Sequence, residues 1–396
     1  MRVTWAATGV VAAAGVAFGG LGLVIARRLT APGGRQYDLT IRGVETSGEL
    51  LTVVLDRTPR TTLHGLYSLF VENGGRVRLS PEAEDRGPGL VARQVLGEPG
   101  EGLTVGGRAS WSGIIFSSPE DAGLAVTDVE VPTGVGPSPA WLVAPEGDSS
   151  TIWAIHIHGL GGSRAGVLRG VHAASEAGLT SLVVTYRNDG EGPFVGTGRS
   201  GLGSDEADDV RAAVRFAREN GARSVVLVGW SMGAAIALQL GADAEFHGLI
   251  AGLVLESPVL DWVSTIRANC ARAGMPDWTG VLAVPWLKFR TMARVTGLAN
   301  RVDLRRFDWI ARADELTVPT LILHGSPDTS SPFALSARLR DLRPDIVDLE
   351  AFDADHTMTW NSDCERWQAV VCSWLAGRAS TGTNAASAAS VPHDRA

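Results

Sequence analysis

The sequence predicts an α/β domain on a mostly parallel eight-stranded sheet, preceded by a small antiparallel β region. Three observations lead there. From about Val126 onward, short apolar runs alternate with stretches whose apolar residues recur at helical spacing, the pattern of a parallel sheet with helices on both faces. Between Tyr37 and about Glu120 the chain holds only short extended runs broken by Gly and Pro. And Gly229-Trp-Ser-Met-Gly233 stands directly between an apolar strand and a helical run.

The chain has 396 residues, 45% apolar and 20% charged, with a formal net charge of −8. That length suffices for about two domains, and the composition is globular. The acidic balance leaves no basic footprint for nucleic acid. Three cysteines, Cys270, Cys364 and Cys372, are too few for a disulfide scaffold.

Val3 to Ala26 carries no charge and lies between Arg2 and the pair Arg27-Arg28. About 20 apolar residues span a bilayer, so residues 3–26 read as an uncleaved single-pass transmembrane anchor. Trp5 suits the membrane interface. A cleaved signal peptide is the alternative, disfavoured by the basic pair directly after the apolar run. Arg27, Arg28, Arg35 and Arg42 outnumber the charges before the segment, which places the large domain on the cytoplasmic face.

Residues 37–120 form the β-rich region, with extended runs at Leu50–Leu55, Leu66–Glu72, Val77–Leu79, Leu90–Leu96 and Trp111–Phe116. Asn73-Gly74 between two of them signals a hairpin. This region is expected to pack as a cover on the α/β domain. In that domain the strands fall at Asp128–Val131, Ala140–Val143, Ile152–His156, Ser181–Thr185, Ser224–Val228, Ile250–Leu255, Thr320–Leu323 and Val347–Ala351. The first two make a hairpin. Val167, Leu168 and Val171 mark one helix, and Ala207, Val210, Val214 and Ala217 another, with Ser204 as its N-cap. From Gly377 to Ala396 the Ala/Ser/Thr/Gly-rich tail shows no periodicity and reads as disordered.

The chemistry centres on Ser231 in the Gly-x-Ser-x-Gly turn, whose flanking glycines let strand and helix approach closely. A free hydroxyl is a weak nucleophile near neutral pH and needs a base and an orienting acid. His356 comes after the last strand, and Asp328 lies in the turn after Thr320–Leu323. Each of the three stands at the C-terminal end of a strand, where open α/β sheets build their sites. Rivals for the acid are Glu256, which ends the preceding strand, and Asp353 and Asp355 beside the histidine. Oxyanion donors are expected at the backbone N–H of Met232 and of Leu160, in the loop His158-Gly-Leu-Gly-Gly162.

With these motifs in this order, the chain resembles the α/β-hydrolase superfamily over about residues 126–376. The whole arrangement is similar to membrane-anchored actinobacterial α/β-hydrolase proteins. The resemblance implies an α/β-hydrolase fold and acyl transfer through a Ser231-His356-Asp328 triad, with no metal or organic cofactor. It implies a small-molecule acyl substrate, and carboxylesterase or lipase-like activity is the preferred form. A peptidase or acyltransferase on the same triad, or a catalytically silent membrane-tethered binding protein, are the alternatives. Residues 259–317 stand where this superfamily carries a cap, and hold Trp262, Trp278, Trp286 and Trp309. These aromatics either wall an acyl pocket or form the core of the cap.

Two patterns are set aside. Gly196-Thr-Gly-Arg-Ser-Gly201 stands too far from a strand end for a dinucleotide site. His156 and His158 share a strand face, yet no further ligands stand at metal-site spacing.

Overall fold

The structure, a computed structural model, describes residues 17–72, 74–97, 102–145 and 150–388. It opens with a helix, α1, over residues 17–29. Seven strands come next: β1 (Leu39–Ser47), β2 (Leu50–Asp56), β3 (Tyr67–Val71), β4 (Arg76–Leu79), β5 (Glu84–Asp85), β6 (Leu90–Leu96) and β7 (Arg108–Ser112). Their order is β2-β1-β7-β3-β4-β6-β5, and β2 also pairs with β6, so six of them close into an antiparallel barrel. Closure removes the exposed edges that a small open sheet would leave.

Alternate residues fill the barrel, among them Leu39, Ile41, Leu55, Tyr67, Leu69 and Leu79. Arg93 is also buried there and donates to the carbonyls of Ser80 and Pro81, both at 2.8 Å, and of Thr61 at 3.1 Å. Carbonyl acceptors make burial of this guanidinium tolerable. β1 has no counterpart among the expected runs, because Arg42, Gly43 and Glu45 interrupt its apolar alternation, and β7 begins three residues before the run placed at Trp111–Phe116. β3 and β4 pair as a hairpin from Tyr67↔Leu79 to Phe70↔Arg76, while Asn73 lies outside the described residues.

The second part contains β8 (Thr127–Thr133), β9 (Gly136–Val143), β10 (Ile152–Ile157), β11 (Thr180–Val184), β12 (Ser224–Trp230), β13 (Ile250–Glu256), β14 (Thr320–Gly325) and β15 (Val347–Phe352). They form one sheet in the order β15-β14-β13-β12-β10-β11-β9-β8. The β8–β9 hairpin runs antiparallel at one edge and the other neighbours are parallel. The helices are α2 (Leu168–Glu176), α3 (Glu206–Glu219), α4 (Met232–Gly241), α5 (Trp262–Arg272), α6 (Val284–Lys288), α7 (Arg290–Thr296), α8 (Phe333–Leu342), α9 (Thr359–Ser362) and α10 (Cys364–Ala388). α3, α4 and α8 cover one face of the sheet, with the cap continuing their core; α2 and α10 cover the other.

Of four expectations, one finds no support among the described residues, two are corrected, and one open alternative is decided. No helix among the described residues is long and apolar enough to cross a membrane. Residues 3–16 of the expected span lie outside the described residues. The rest falls in α1, which buries Ile25 and Ala26 in the core of the α/β domain and brings Gly22 against the Leu282 carbonyl, a contact only a residue without Cβ permits. The described part of the uncharged stretch, residues 17–26, thus finds apolar partners in the cap. Second, α3 starts at Glu206 with Asp205 at its N-cap, not Ser204, since Ser204 sits in the turn before it. Glu206 points inward and accepts from the Ser200 hydroxyl at 2.5 Å and from the N–H groups of Gly201 and Gly203, both at 2.9 Å. Third, α10 continues through Ala388, so the tail from Gly377 is helical that far. The remaining tail residues lie outside the described ones. Fourth, Trp262 and Trp309 are core residues, Trp286 is half-buried and Trp278 is 49% exposed. None of the four lines the pocket at Ser231.

Candidate active site

The turn between β12 and α4 holds Ser231 at φ 52°, ψ −111°, a left-handed φ that a non-glycine residue adopts only when its surroundings impose it. The glycines explain how. A Cβ on Gly229 would meet the Gly233 carbonyl and Ala234, and one on Gly233 would meet the carbonyls of Ile157 and His158. Strand and helix therefore close to a distance only glycine allows, and the serine side chain is lifted at the sheet edge.

His356, in the loop between β15 and α9, reaches Ser231 Oγ from Nε2 at 2.9 Å and Asp328 Oδ2 from Nδ1 at 2.7 Å. The structure thus brings Ser231, His356 and Asp328 together across separations of 125 and 28 residues along the chain. An ionised Asp328 only accepts, so Nδ1 of His356 carries a proton and Nε2 faces the serine hydroxyl as acceptor. Asp328 Oδ1 accepts the backbone N–H groups of Ser330 and Ser331, both at 2.8 Å. Burial opposes ionisation of Asp328, but hydrogen bonds from His324 and His356 prevail and hold its carboxyl well below the usual range.

The rival acids are engaged elsewhere. Glu256 is buried and accepts from Thr359 N–H at 3.2 Å, Thr359 Oγ1 at 2.5 Å and Trp367 Nε1 at 3.0 Å. Burial pushes its carboxyl above the ordinary value. Asp355 accepts from the N–H and hydroxyl of Thr329, both at 3.0 Å, and Asp353 is exposed.

Met232 is the first residue of α4, so its N–H has no acceptor within the helix. Leu160 lines the same pocket as Ser231 and His356. The loop that carries it is fastened by His158, whose Nε2 bonds Asp189 Oδ2 at 3.0 Å and whose Nδ1 bonds the Tyr186 hydroxyl at 2.8 Å. His156 turns elsewhere, to Ser181 Oγ at 3.1 Å, and burial lowers its imidazole to about 3. The 196–201 glycines lie against the cap and α1: Thr197 donates to the Gly297 carbonyl at 2.6 Å and Ser200 N–H to the Thr30 carbonyl at 3.0 Å.

Two contributions escape the sequence reading. His324, fully buried at the end of β14, donates from Nε2 to Asp328 Oδ2 at 3.1 Å and to the Ser331 carbonyl at 3.1 Å, while its Nδ1 accepts from Ser336 Oγ at 2.7 Å. Its place four residues before Asp328 is the available signal. The other is the barrel's contribution. The pocket over Ser231 measures about 270 Å³ and its outer wall is Trp111, Gly113 and Ile114. Asn361 of α9 clamps that wall, donating to the carbonyls of Leu66 at 2.6 Å and Gly113 at 3.0 Å. The aromatic residues lining the pocket are Trp111 of the barrel and Trp230 of β12, not the cap tryptophans.

Comparison with known proteins agrees with this architecture. A family described as a domain of unknown function matches residues 40–112, and the Alpha/beta hydrolase family matches residues 154–376. Among solved structures, an esterase from Pyrococcus furiosus is 21% identical, with 65% of this chain and 93% of that one covered and a TM-score of 0.50. A proline iminopeptidase from Mycobacterium smegmatis is 15% identical, covering 64% of this chain and 99% of that one, with a TM-score of 0.49. At this identity, the likeness to the Pyrococcus furiosus esterase concerns the fold alone. No match is found among curated proteins. With the family match spanning more than half of the residues, the chain belongs to the alpha/beta hydrolase family.

Proposed function

We propose that the protein is a serine hydrolase that cleaves carboxylic esters through an acyl-enzyme. One observation carries the reading: His356 stands between Ser231 and Asp328, with 2.9 Å on one side and 2.7 Å on the other. That is the reach a general base needs toward a nucleophile it activates.

In this reading Ser231 Oγ attacks the ester carbonyl as its proton passes to His356 Nε2. Asp328 keeps the Nδ1–H tautomer and offsets the charge of the imidazolium. The carbonyl oxygen, now negative, lies against the N–H groups of Met232 and Leu160; one such donor is worth about 10²–10³ in kcat. Collapse breaks the bond to the alcohol, which leaves with the proton from His356. Water then attacks the acyl-Ser231 ester, His356 takes its proton, and the acid departs with Ser231 restored.

Ester hydrolysis is favoured over amide hydrolysis by the pocket. Its walls include Trp111, Ile114, Leu160, Val167 and Met358 beside Arg169, and no carboxylate stands among its described lining residues to hold a peptide amine. The test is turnover of p-nitrophenyl acetate by the full chain and by His356→Ala. Steady hydrolysis that disappears in the variant supports the reading, and equal rates in the two forms refute it.

A further inference from the structure

The pocket at Ser231 does not end under the barrel. A chamber of about 210 Å³ adjoins it and shares Trp111, His356 and Met358 with it. On its far side this chamber shares Arg60, Arg272 and Asp355 with a larger cleft of about 760 Å³. The three spaces therefore succeed one another from the serine outward. Only the last has the size of an ordinary ligand site, about 300–1,000 Å³.

The lining of the cleft is mixed: Arg28, Gln36, Asp38 and Asn269 stand beside an apolar part that comes from three parts of the chain. α1 supplies Ile25 and Leu29, α5 and the turn after it supply Ile266 and Met275, and the barrel supplies Pro59. At the neck, Arg60 is neutralised by Asp38 at 2.5 Å and Arg272 faces Asp355 at 3.9 Å. With carboxylates near both guanidinium groups, the methylene stems of the two arginines are the apolar surface the neck can offer.

We propose that the substrates are esters with one long apolar arm. The carbonyl sits at Ser231, and the arm runs beneath Trp111 and Met358, through the Arg60–Arg272 neck, and along α1 and α5. This rests on the ester-hydrolase reading above and deepens it. It also gives α1 a role: the segment that begins the described chain is one wall of the substrate site.

The experiment uses the full chain with two ester series. In p-nitrophenyl acetate, butyrate, laurate and palmitate the arm is on the acyl side; in acetate esters of short and long alcohols it is on the alcohol side. Ala273→Trp puts an indole into the cleft from an exposed position at the end of α5, where the fold has room for it. Leu29→Glu puts a charge on the α1 wall. In one series the wild-type chain prefers long over short arms in kcat/KM. Both variants reduce that preference at least about tenfold while acetate turnover stays unchanged. A wild-type chain that turns over acetate but does not favour a long arm in either series overturns the proposal. So does a preference that survives both substitutions. Absence of turnover on every ester removes the hydrolase reading itself, and this inference with it.

Discussion

Asp328 is shared by two histidines: His324 Nε2 and His356 Nδ1 both donate to its Oδ2, at 3.1 and 2.7 Å. His324 touches neither Ser231 nor the pocket, so it acts as a positioning residue that fixes the carboxylate to which His356 is tied. The Ser331 carbonyl in turn fixes the His324 tautomer: it can only accept, so the proton sits on Nε2 and Nδ1 accepts from the Ser336 hydroxyl.

Replacement of His324 by Leu removes one hydrogen bond to a charged acceptor, worth about 1.5–3 kcal/mol. Expressed in the barrier, that is about a ten- to hundredfold loss of kcat. KM for p-nitrophenyl acetate should not change, because no substrate contact is lost. A KM that rises while kcat is kept would place His324 in binding instead.

Gly33, between α1 and β1, lies against Gly161 of the loop expected to hold the oxyanion; a Cβ there would come within 2.5 Å of the Gly161 Cα. Gly33→Val should therefore shift that loop and lower kcat while leaving the far-UV circular dichroism spectrum of the wild type. A variant with wild-type kcat would show that the loop gives way without moving the donors.

Asn361 joins the two parts of the chain. In Asn361→Ala the carbonyls of Leu66 and Gly113 lose their donor, and Arg169 loses the side-chain oxygen it bonds. Unsatisfied buried groups cost about 1–3 kcal/mol each. Urea denaturation should show a lower midpoint, and an unchanged midpoint would mean that the barrel is held by other contacts.

The acid side of the stability profile depends on His156. Burial lowers its imidazole to about 3, against about 6.5 unfolded, so between those values only the unfolded chain takes up the proton. Stability is therefore full above about pH 6.5 and declines as pH falls toward 3. Asp328, held below the usual carboxylate range, adds a loss of the same sign beginning near pH 4. His156→Gln should shrink the difference in urea midpoint between pH 7 and pH 5. An undiminished difference would assign that loss to other groups.

Much of the site is legible in local patterns. Ser231, Asp328 and His356 each stand after a strand end, and the strand pattern is strong because a sheet covered on both faces makes each strand a continuous apolar run. All eight α/β strands stand where the runs place them, with ends differing by a few residues. The barrel is less legible. Its closure depends on β2 meeting β6 across some forty residues, from Thr52↔Gln94 to Asp56↔Leu90, and no local pattern encodes that pairing. Aromatic content alone does not separate Trp309, sealed in the core, from Trp111, which faces the pocket. An uncharged run has the same composition whether lipid or protein covers it, so the length of the run containing α1 suggests a membrane span and says nothing of the cap contact made by Gly22.

The most direct test of the triad is covalent. The full chain and Ser231→Ala are treated with a fluorophosphonate, which reacts with a serine only when a neighbouring base has activated it, and the adduct is located by peptide mass spectrometry. One adduct per chain is expected, on Ser231, and none in the variant. An inert wild-type chain, or an adduct that persists in Ser231→Ala, would mean that Ser231 is not an activated nucleophile.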